Sequence, residues 1–383
     1  MNRVVISSFD NPDSRHYAGG GSAVVGLMAR WLGRDFEVMV LTAGRRGGTA
    51  ERGGVRYRYL PVAWAGPRAG QLLFHALLPF AARRIPHDLW IESFTPPFST
   101  SFIPLFSPGR VVGFAQNLSG REMSHRYKVP FFLIERLGLR CYRDVVVLNP
   151  ADGQTVRQHS PAATVRVIPN SVDLPELDER EFGHGEHILY LGRAQVWEKG
   201  LDLLLTAYAS SGLAMPLVIA GSGPVREERR LTTLLATAGP GIRWVGPVTG
   251  DRKDALLRRS AVLVMPSRSE AFGIAALEGM AYGKPVVHFD LPTLDWMSGD
   301  VSVPPFDTGE LAAALGGLAA DPGRRAGLGR AARAAAREFG RDVMAERYRT
   351  LARQILGSPG SAGPGAGRPG SPRGGGLVRE GRT

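Results

Sequence analysis

The chain has 383 residues, a formal net charge of +12 and an isoelectric point near 10.4. This length exceeds what a single hydrophobic core usually organises, so two domains are expected. The hydrophobic fraction of 44% is typical of soluble globular proteins, and no apolar run reaches the ~20 residues of a membrane span. One cysteine, Cys141, excludes an intrachain disulfide framework and a cysteine-based zinc cluster. The first apolar stretch is too short for a signal peptide, which favours a cytoplasmic protein.

The positive charge raises the question of an anionic partner. Residues 357–383 carry four arginines and one glutamate, so this segment contributes +3. The remaining excess forms no nucleic-acid motif with interleaved aromatic residues, so no nucleic-acid partner is expected. A solvated, Arg-rich surface is the simplest interpretation. Attraction to an anionic substrate, or peripheral contact with the inner face of a membrane, is the alternative.

Short β-branched segments alternate with longer amphipathic ones, which is the pattern of parallel α/β layers. The strands predicted in the first half are Val4–Ser8, Glu37–Thr42, Val55–Leu60, Asp88–Glu92, Arg110–Ala115, Asp144–Leu148 and Val165–Ile168. Helices are predicted between most of them, including Gly21–Leu32 and Phe131–Arg140. The first half therefore predicts one doubly wound sheet.

The acidic, Pro- and Gly-containing segment Val172–Glu186 reads as a linker, after which the alternation restarts. The strands predicted there are His187–Leu191, Leu217–Ala220, Arg243–Val245, Ala261–Met265 and Pro285–Phe289, followed by helices within Thr308–Glu338 and Asp342–Leu356. The expected fold is α/β, with two Rossmann-like doubly wound domains facing a cleft. The predicted limits are 1–171, a linker at 172–186, 187–340, a helix at 341–356 that crosses back to the first domain, and a disordered Gly/Pro/Arg tail at 357–383.

The strongest chemical signal is the segment Pro266–Ala281, which follows a predicted strand. Gly273 allows close backbone approach, and the free amides of Phe272, Gly273 and Ile274 at a helix N-terminus suit an anion. The carboxylates of Glu270 and Glu278 are good acceptors for sugar hydroxyls. The competing interpretation is an ordinary helix with one glutamate that complements its dipole and one that is solvated.

The spacing Glu270–x7–Glu278, inside Ser-x-x-Glu-x-Phe-Gly, resembles retaining GT-B glycosyltransferases of the family-4 type (glycosyl transferases group 1). The resemblance extends over most of the chain and is carried by Gly19-Gly20-Gly21, by Val167–Asp173 (Val-Ile-Pro-Asn-Ser-Val-Asp), by Leu191-Gly192-Arg193 with Glu198–Asp202, by Ala220–Pro224, and by Gly279–Val287. Each motif alone is weak, but their order and separation together make coincidence improbable.

The resemblance implies that a nucleoside-diphosphate sugar is the donor substrate. Arg193 and Lys199 match the cations that neutralise its diphosphate, which suits a bidentate guanidinium and a point-charge ammonium. Gly192 belongs to the turn that carries Arg193. Gly20 and Gly21 would let the first helix approach the diphosphate from the opposite domain.

The other donor contacts follow from the same resemblance. Glu270 matches the carboxylate that holds the sugar hydroxyls, and Glu278 the one that binds the ribose diol. The amides of residues 272–274 would contact phosphate or sugar. The base would lie near Val248, with UDP expected ahead of GDP.

The sequence departs from the family where many relatives have a histidine near the reacting sugar. Here Gln116 and Asn117 occupy that neighbourhood, and no histidine follows until His125. Gln116, Asn117, His16 and His125 are therefore the candidates for acceptor contact. The acceptor itself, a small molecule or a lipid-linked one, is expected in the loops of the first domain.

The resemblance further implies transfer with retention of anomeric configuration, no metal and no separate cofactor. The chain contains no Asp-x-Asp triplet that would hold a metal-bridged diphosphate. Retention usually indicates a carboxylate nucleophile, but no clear candidate follows the strands of the first domain, which favours front-face substitution. A sugar-nucleotide 2-epimerase of the same fold and a non-catalytic nucleotide-sugar-binding protein are the alternatives.

Overall fold

The structure is a computed structural model that describes residues 1–11, 20–94 and 100–357. His16 and residues 358–383 of the predicted tail lie outside these residues, whereas Gly357 is the last residue of a helix. The first sheet has eight strands in the order β3-β4-β2-β1-β5-β6-β7-β8, all parallel to their neighbours except β3, which is antiparallel to β4. Its strands are β1 (Arg3–Ser7), β2 (Glu37–Gly44), β3 (Gly48–Arg52), β4 (Val55–Pro61), β5 (Leu89–Phe94), β6 (Arg110–Ala115), β7 (Asp144–Val147) and β8 (Thr164–Val167).

Five helices accompany this sheet in the described residues: α1 (Gly20–Leu32), α2 (Gly66–Arg84), α3 (Gly120–Tyr127), α4 (Phe131–Leu139) and α5 (Pro150–His159). Val25 and Met28 of α1 pack on one face of the sheet, against Val4 and Ile6. The helices α2 and α4 pack on the other face. Coverage of both faces explains why the central strands read as nearly continuous apolar runs.

The second sheet has six parallel strands in the order β11-β10-β9-β12-β13-β14. They are β9 (His187–Leu191), β10 (Leu217–Ala220), β11 (Ile242–Trp244), β12 (Ser260–Met265), β13 (Val286–Phe289) and β14 (Asp300–Val303). The helices are α6 (Leu201–Ser211), α7 (Val225–Leu235), α8 (Gly250–Arg259), α9 (Ile274–Ala281), α10 (Thr308–Ala320), α11 (Pro322–Ala336) and α12 (Arg341–Gly357). The prediction of two doubly wound α/β domains is confirmed, while the exact domain limits stay a prediction.

The last helix, α12, packs against α1 of the first sheet. Tyr348 stacks on Trp31 with ring centroids 6.0 Å apart, and the Arg349 guanidinium donates two hydrogen bonds to the Asp35 carboxylate at 2.8 and 3.0 Å. The Asp35 carboxylate also accepts one from Arg353 at 2.6 Å, and these arginines hold its pKa below the usual range. The end of the described chain is thereby joined to the first domain.

Two strands were missed by the sequence patterns, and both lie at a sheet edge. The β3 segment Gly-Thr-Ala-Glu-Arg is largely exposed and offers no apolar alternation, since it pairs only with β4. The β14 segment Asp-Val-Ser-Val has four residues and pairs only with β13. Edge strands bury little surface, so their hydrophobic signal is weak.

Candidate active site

A cleft of about 710 Å³ lies where the carboxyl ends of the two sheets face each other. Its first wall comes from residues that follow β1 and β6 and from the start of α1; its second wall comes from residues that follow β9, β10 and β12. Binding beyond the carboxyl ends of the strands is the rule for doubly wound sheets. The cleft is therefore where the fold places a ligand.

The second wall begins with two glycine turns packed against each other. Gly221 has φ +141°, and a Cβ there would stand 1.7 Å from the carbonyl oxygen of Gly192. The Gly221 amide donates to the Gly246 carbonyl at 2.8 Å, and Trp244 Nε1 donates to the Gly221 carbonyl at 2.9 Å. Only glycine allows this approach, which fixes the backbone on either side of Arg193.

The loop that carries Lys199 is fastened to the loop after β12. Gly200 has φ +63° and lies so close to the Pro266 carbonyl that a Cβ would be 1.8 Å from its oxygen. The Arg268 guanidinium donates two hydrogen bonds to the Asp202 carboxylate, at 2.8 and 2.9 Å. Both contacts hold Lys199 beside the start of α9.

Lys199 and Glu270 form an ion pair in the cleft wall. Lys199 Nζ lies 2.7 Å from Glu270 Oε1, and the two side chains are only 11% and 16% exposed. Ser267 Oγ lies 3.4 Å from the same oxygen, and Thr293 Oγ1 donates to the Glu270 carbonyl at 2.7 Å. Because both charges are largely removed from water, their geometry is fixed more firmly than in an exposed pair.

The N-terminus of α9 opens onto the cleft. Gly273 has φ +82° at the N-cap, and no side chain caps this end of the helix. The preceding Phe272 stacks on Trp296 with ring centroids 4.4 Å apart, and Trp296 Nε1 donates to the Phe272 carbonyl at 3.0 Å. Residues 272–274 all line the cleft. Their amides and the helix dipole are therefore positioned to receive an anion.

Glu278 lines the cleft one helical turn further and has a partner that sequence reasoning missed. Lys253 Nζ of α8 donates to Glu278 Oε1 at 2.7 Å. Lys253 has no motif of its own, since it is one basic residue in the charged helix Gly250–Arg259. Only the packing of α8 beside α9 brings the two side chains together.

Arg193 is the most exposed of the predicted cleft cations. Its side chain is 62% exposed and its Nη2 lies 3.3 Å from Glu198 Oε1, a contact of small energetic value at this exposure. Its carbonyl accepts a hydrogen bond from Tyr190 OH at 2.7 Å, which fixes the backbone. The guanidinium can therefore turn toward a ligand while its backbone stays in place.

The first wall brings Asp10, Gly21 and Gln116 together. A Cβ at Gly21 would lie 2.8 Å from Asp10 Oδ2 and 3.0 Å from Gln116 Oε1, so both side chains reach the start of α1. Gln116 Nε2 donates to Ser93 Oγ at 2.7 Å, which leaves its carbonyl oxygen toward Gly21. Burial raises the pKa of Asp10 to about 6, and the positive charge of Arg193 opposes this shift.

Asp10 and Asn170 are cleft residues that sequence reasoning missed. Asp10 comes three residues after β1, so its position beyond the carboxyl end of a strand was the available signal. Asn170 was noted only as part of the motif after β8. It is 5% exposed, and its Oδ1 has no hydrogen-bond partner, an arrangement that favours a ligand donor.

The other predicted site residues in the described part of the chain lie in or beside the cleft, except His125. Gly192, Val248 and Asn117 line the cleft, whereas Gly20 is the first residue of α1, directly before Gly21. His125 is exposed on α3 and is not among the lining residues. Within the described residues no group of three or more His, Cys, Asp or Glu could hold a metal ion, and no helix is long and apolar enough to cross a membrane.

Two family models match consecutive parts of the chain. The model described as Glycosyltransferase Family 4 matches residues 18–176, and the model described as Glycosyl transferases group 1 matches residues 185–321. Together they take in nearly all of both sheets. The chain belongs to the family-4, group 1 glycosyltransferases.

Curated relatives agree with this family. A D-inositol 3-phosphate glycosyltransferase of Salinispora tropica is 34% identical over 217 residues, which is 52% of this chain and 42% of the relative. The D-rhamnosyltransferase WbpZ of Pseudomonas aeruginosa is 43% identical over 98 residues, 25% of each chain. The chain thus spans less than half the length of these relatives.

Solved structures agree on the fold. Sucrose-phosphate synthase from Thermosynechococcus elongatus superposes with a TM-score of 0.77 at 21% identity, over 94% of this chain and all of that one. The Anabaena protein HepE, solved in complex with UDP and glucose, gives 0.70 at 16% identity, over 94% and 100%. At this identity the likeness shows the fold, and the predicted GT-B arrangement is confirmed.

Proposed function

We propose that this family-4 glycosyltransferase moves a sugar from a nucleoside-diphosphate sugar to an acceptor hydroxyl, with retention and without a metal. The observation that carries this proposal is the ion pair of Lys199 with Glu270 beside the uncapped start of α9. One cation, one carboxylate and a row of amides meet there, which suits the junction between a diphosphate and a sugar. In the described part of the chain, no group of three or more His, Cys, Asp or Glu side chains is arranged to hold a metal ion beside this pair.

The diphosphate would lie against Lys199, Arg193 and the amides at the start of α9. The mobile guanidinium of Arg193 can donate two parallel hydrogen bonds to phosphate oxygens, whereas the fixed ammonium of Lys199 supplies a point charge. In the transition state negative charge grows on the leaving diphosphate, so these groups stabilise it more strongly there than in the ground state. They replace the metal ion that other glycosyl transfer sites use.

The sugar and the ribose would be held by the two glutamates. Glu270 must share its oxygens between Lys199 and the sugar hydroxyls, which orients the pair along the donor. Glu278 would accept hydrogen bonds from the two ribose hydroxyls. Part of its present contact with Lys253 would be replaced by these hydrogen bonds. The base would lie near Pro247 and Val248, which follow β11 and line the cleft.

A uridine donor is the choice that the neighbours support. HepE was solved with UDP and glucose, and it shares the fold at low identity. We therefore propose UDP ahead of GDP as the nucleoside diphosphate. The single cysteine needs no oxidising compartment, which agrees with a cytoplasmic enzyme.

Retention would follow from front-face substitution. The bond from the anomeric carbon to the diphosphate oxygen breaks as the bond to the acceptor oxygen forms on the same face. The acceptor's proton passes to the departing phosphate oxygen.

Asp10, on the opposite wall, would accept a hydrogen bond from the acceptor and orient it, with Gln116 and Asn117 beside it. The acceptor is a small molecule or a lipid-linked one. Trapping a covalent glycosyl adduct on Asp10 would instead establish double displacement.

Asp10 also keeps the epimerase alternative under test, since a 2-epimerase needs a carboxyl in the cleft that exchanges protons. Incubation with donor alone, followed by NMR, separates the two activities. A transferase leaves the sugar configuration at C2 unchanged, whereas an epimerase changes it without any acceptor.

The proposed donor is tested by a thermal-shift panel of nucleoside diphosphates and their sugars, with and without EDTA. Binding to the folded state alone raises the melting temperature, and a ligand at about 100 times its Kd adds about 2.7 kcal/mol. We expect UDP and UDP-sugars to raise the melting temperature by the same amount with EDTA as without it. Dependence on a divalent ion, or no response to any nucleoside diphosphate, would contradict the proposal.

A further inference from the structure

Exposed apolar side chains are concentrated on one part of the first domain. Among the described residues, nineteen large hydrophobic side chains are exposed, and twelve of them lie between residues 64 and 137. Isolated exposed apolar residues are normal, but a contiguous cluster on a soluble protein marks an interaction surface. None of these twelve residues lines the cleft, and they have no part in the proposed reaction.

The helix α2 is apolar on both sides. Its inner side places Phe74, Leu78 and Ala82 against the sheet. Its outer side exposes Leu72, Leu73, Leu77 and Phe80 (the last 58% exposed), and no charged residue occurs between Arg68 and Arg83. A helix that only covered a sheet would present polar residues outward.

The helix α4 continues this surface. It exposes Phe132, Leu133 and Leu137, and the segment before it exposes Val129. Both helices cover the same face of the sheet, since Val111 of β6 packs against the core of each. At the end of α2, the Arg83 guanidinium lies 5.1 Å from the ring centroid of Phe106, another exposed apolar residue. We call the outer side of α2, residues 105–106 and α4 the α2–α4 face.

The part of the chain that contains the α2–α4 face is strongly basic, and we call its exposed cations Arg83, Arg84, Lys128 and Arg136 the basic rim. Residues 53–143 contain twelve Lys or Arg and four Asp or Glu, a formal +8 out of the chain's +12. Two of the four acids, Glu92 and Glu135, are buried, whereas basic residues such as Arg84, Lys128 and Arg136 are exposed. Apolar ridges flanked by cations are the composition of a surface that enters an anionic lipid interface.

We propose that the α2–α4 face binds peripherally to an anionic lipid bilayer, with the apolar ridges in the interface and the basic rim against the headgroups. Charge decides against a second copy of this chain, because a two-fold contact would oppose two basic rims. The inference goes beyond the proposed reaction and does not depend on it.

The surface also has a defined relation to the cleft. The strand β6 ends at Ala115, the next two residues line the cleft, and the chain then runs directly into α3 and α4. Docking of α4 on a bilayer would therefore bring a segment that is continuous with Gln116 and Asn117 to the membrane surface.

The test is flotation of the full chain with vesicles of phosphatidylcholine alone or with phosphatidylglycerol, without donor or acceptor. We expect binding to the anionic vesicles that weakens in high salt. Leu77→Gln/Phe80→Gln should lower the partition coefficient roughly tenfold or more. Arg84→Gln/Arg136→Gln should lower it about fivefold for each charge. The matched controls Val225→Gln and Arg230→Gln on exposed α7 should bind as the wild type does.

Two further measurements keep the proposal falsifiable. Unchanged melting temperatures show that the surface variants fold. A chain ending at residue 357 separates the α2–α4 face from the basic tail, and we expect it to retain most of the binding. Absence of wild-type binding to anionic vesicles, wild-type binding by the α2 variant, or binding lost only with the tail would overturn the proposal. So would a dimer in lipid-free solution that the α2 variant dissociates.

Discussion

The two walls of the cleft differ in how their functional side chains are held. The second wall fixes Lys199 and Glu270 by a short ion pair, by glycine turns that allow no side chain, and by the Arg268–Asp202 fork. The first wall presents Asp10 and Gln116: a hydrogen bond to Ser93 holds Gln116, and burial leaves the Asp10 carboxyl with a raised pKa of about 6. In the proposed reaction the rigidly held second wall receives the diphosphate sugar, and the first wall receives the acceptor.

The largest effect should come from breaking the rigid wall at its ion pair. Lys199→Ala removes the cation beside the leaving diphosphate, and we expect kcat to fall on the order of 10²–10³-fold. Steady-state kinetics with saturating donor measure this. The matched control is Lys253→Ala, which removes a lysine with the same 2.7 Å geometry from Glu278 and should leave kcat within a few-fold of the wild type.

The same variant also reports on stability. It leaves the Glu270 carboxylate largely buried without its partner, so its melting temperature should fall. Adding Glu270→Gln should restore stability but not turnover. Restored turnover in the double variant would show that Lys199 acts only by neutralising Glu270.

Substitutions of the two glutamates should change different kinetic parameters. Glu270→Gln keeps the shape but removes the charge beside the reacting sugar, and we expect kcat to fall roughly 10–100-fold. Glu278→Gln loses a contact that is equal in ground and transition states, so donor KM should rise about tenfold with little change in kcat. Full kinetics on both variants with one donor and one acceptor decide between them, and the opposite pattern would reverse the assigned roles.

The first wall is tested through Asp10. Asp10→Asn should raise acceptor KM about tenfold, since a charge-assisted hydrogen bond is lost, and leave donor affinity unchanged. In the wild type, kcat/KM for the acceptor should rise with pH through about 6 as the carboxyl ionises, and the variant should lose this step. A pH profile that is identical in both proteins would remove Asp10 from the acceptor site.

The smallest effect on catalysis is expected from Glu92, a carboxyl buried behind the first wall. Burial raises its pKa to about 7, against hydrogen bonds from Ser101 and Tyr142 that lower it. As pH rises, the Glu92 carboxyl ionises in the unfolded chain before it ionises in the folded protein. The free energy of unfolding therefore falls progressively between about pH 4.5 and pH 7. The loss is on the order of 3 kcal/mol.

Glu92→Gln should remove that pH dependence and leave activity nearly unchanged. Thermal unfolding at pH 5 and pH 8 measures it: the variant should resemble the wild type at the lower pH and exceed it at the higher. Parallel pH profiles would show that the carboxyl is not held protonated in the folded state.

The second wall could be predicted because residues close together in the sequence determine its geometry. Glycines at fixed spacing set the turns, Glu270 lies in the loop just before α9 and Glu278 lies within α9, so both line the same cleft. Partners from other elements carried no local signal: Lys253 reaches Glu278 only because α8 packs beside α9. Asp10 follows a strand end and was overlooked because no motif surrounds it. Edge strands β3 and β14 were missed because they bury little apolar surface.

The division of the cleft is tested most directly by isothermal titration of UDP and a UDP-sugar into the wild type, Lys199→Ala and Asp10→Asn. We expect Lys199→Ala to weaken nucleotide binding roughly tenfold or more, because a charge-assisted phosphate contact is lost. We expect Asp10→Asn to bind the nucleotide as the wild type does. Equal binding by Lys199→Ala, or loss of nucleotide binding in Asp10→Asn alone, would contradict the assignment of the donor to the second wall.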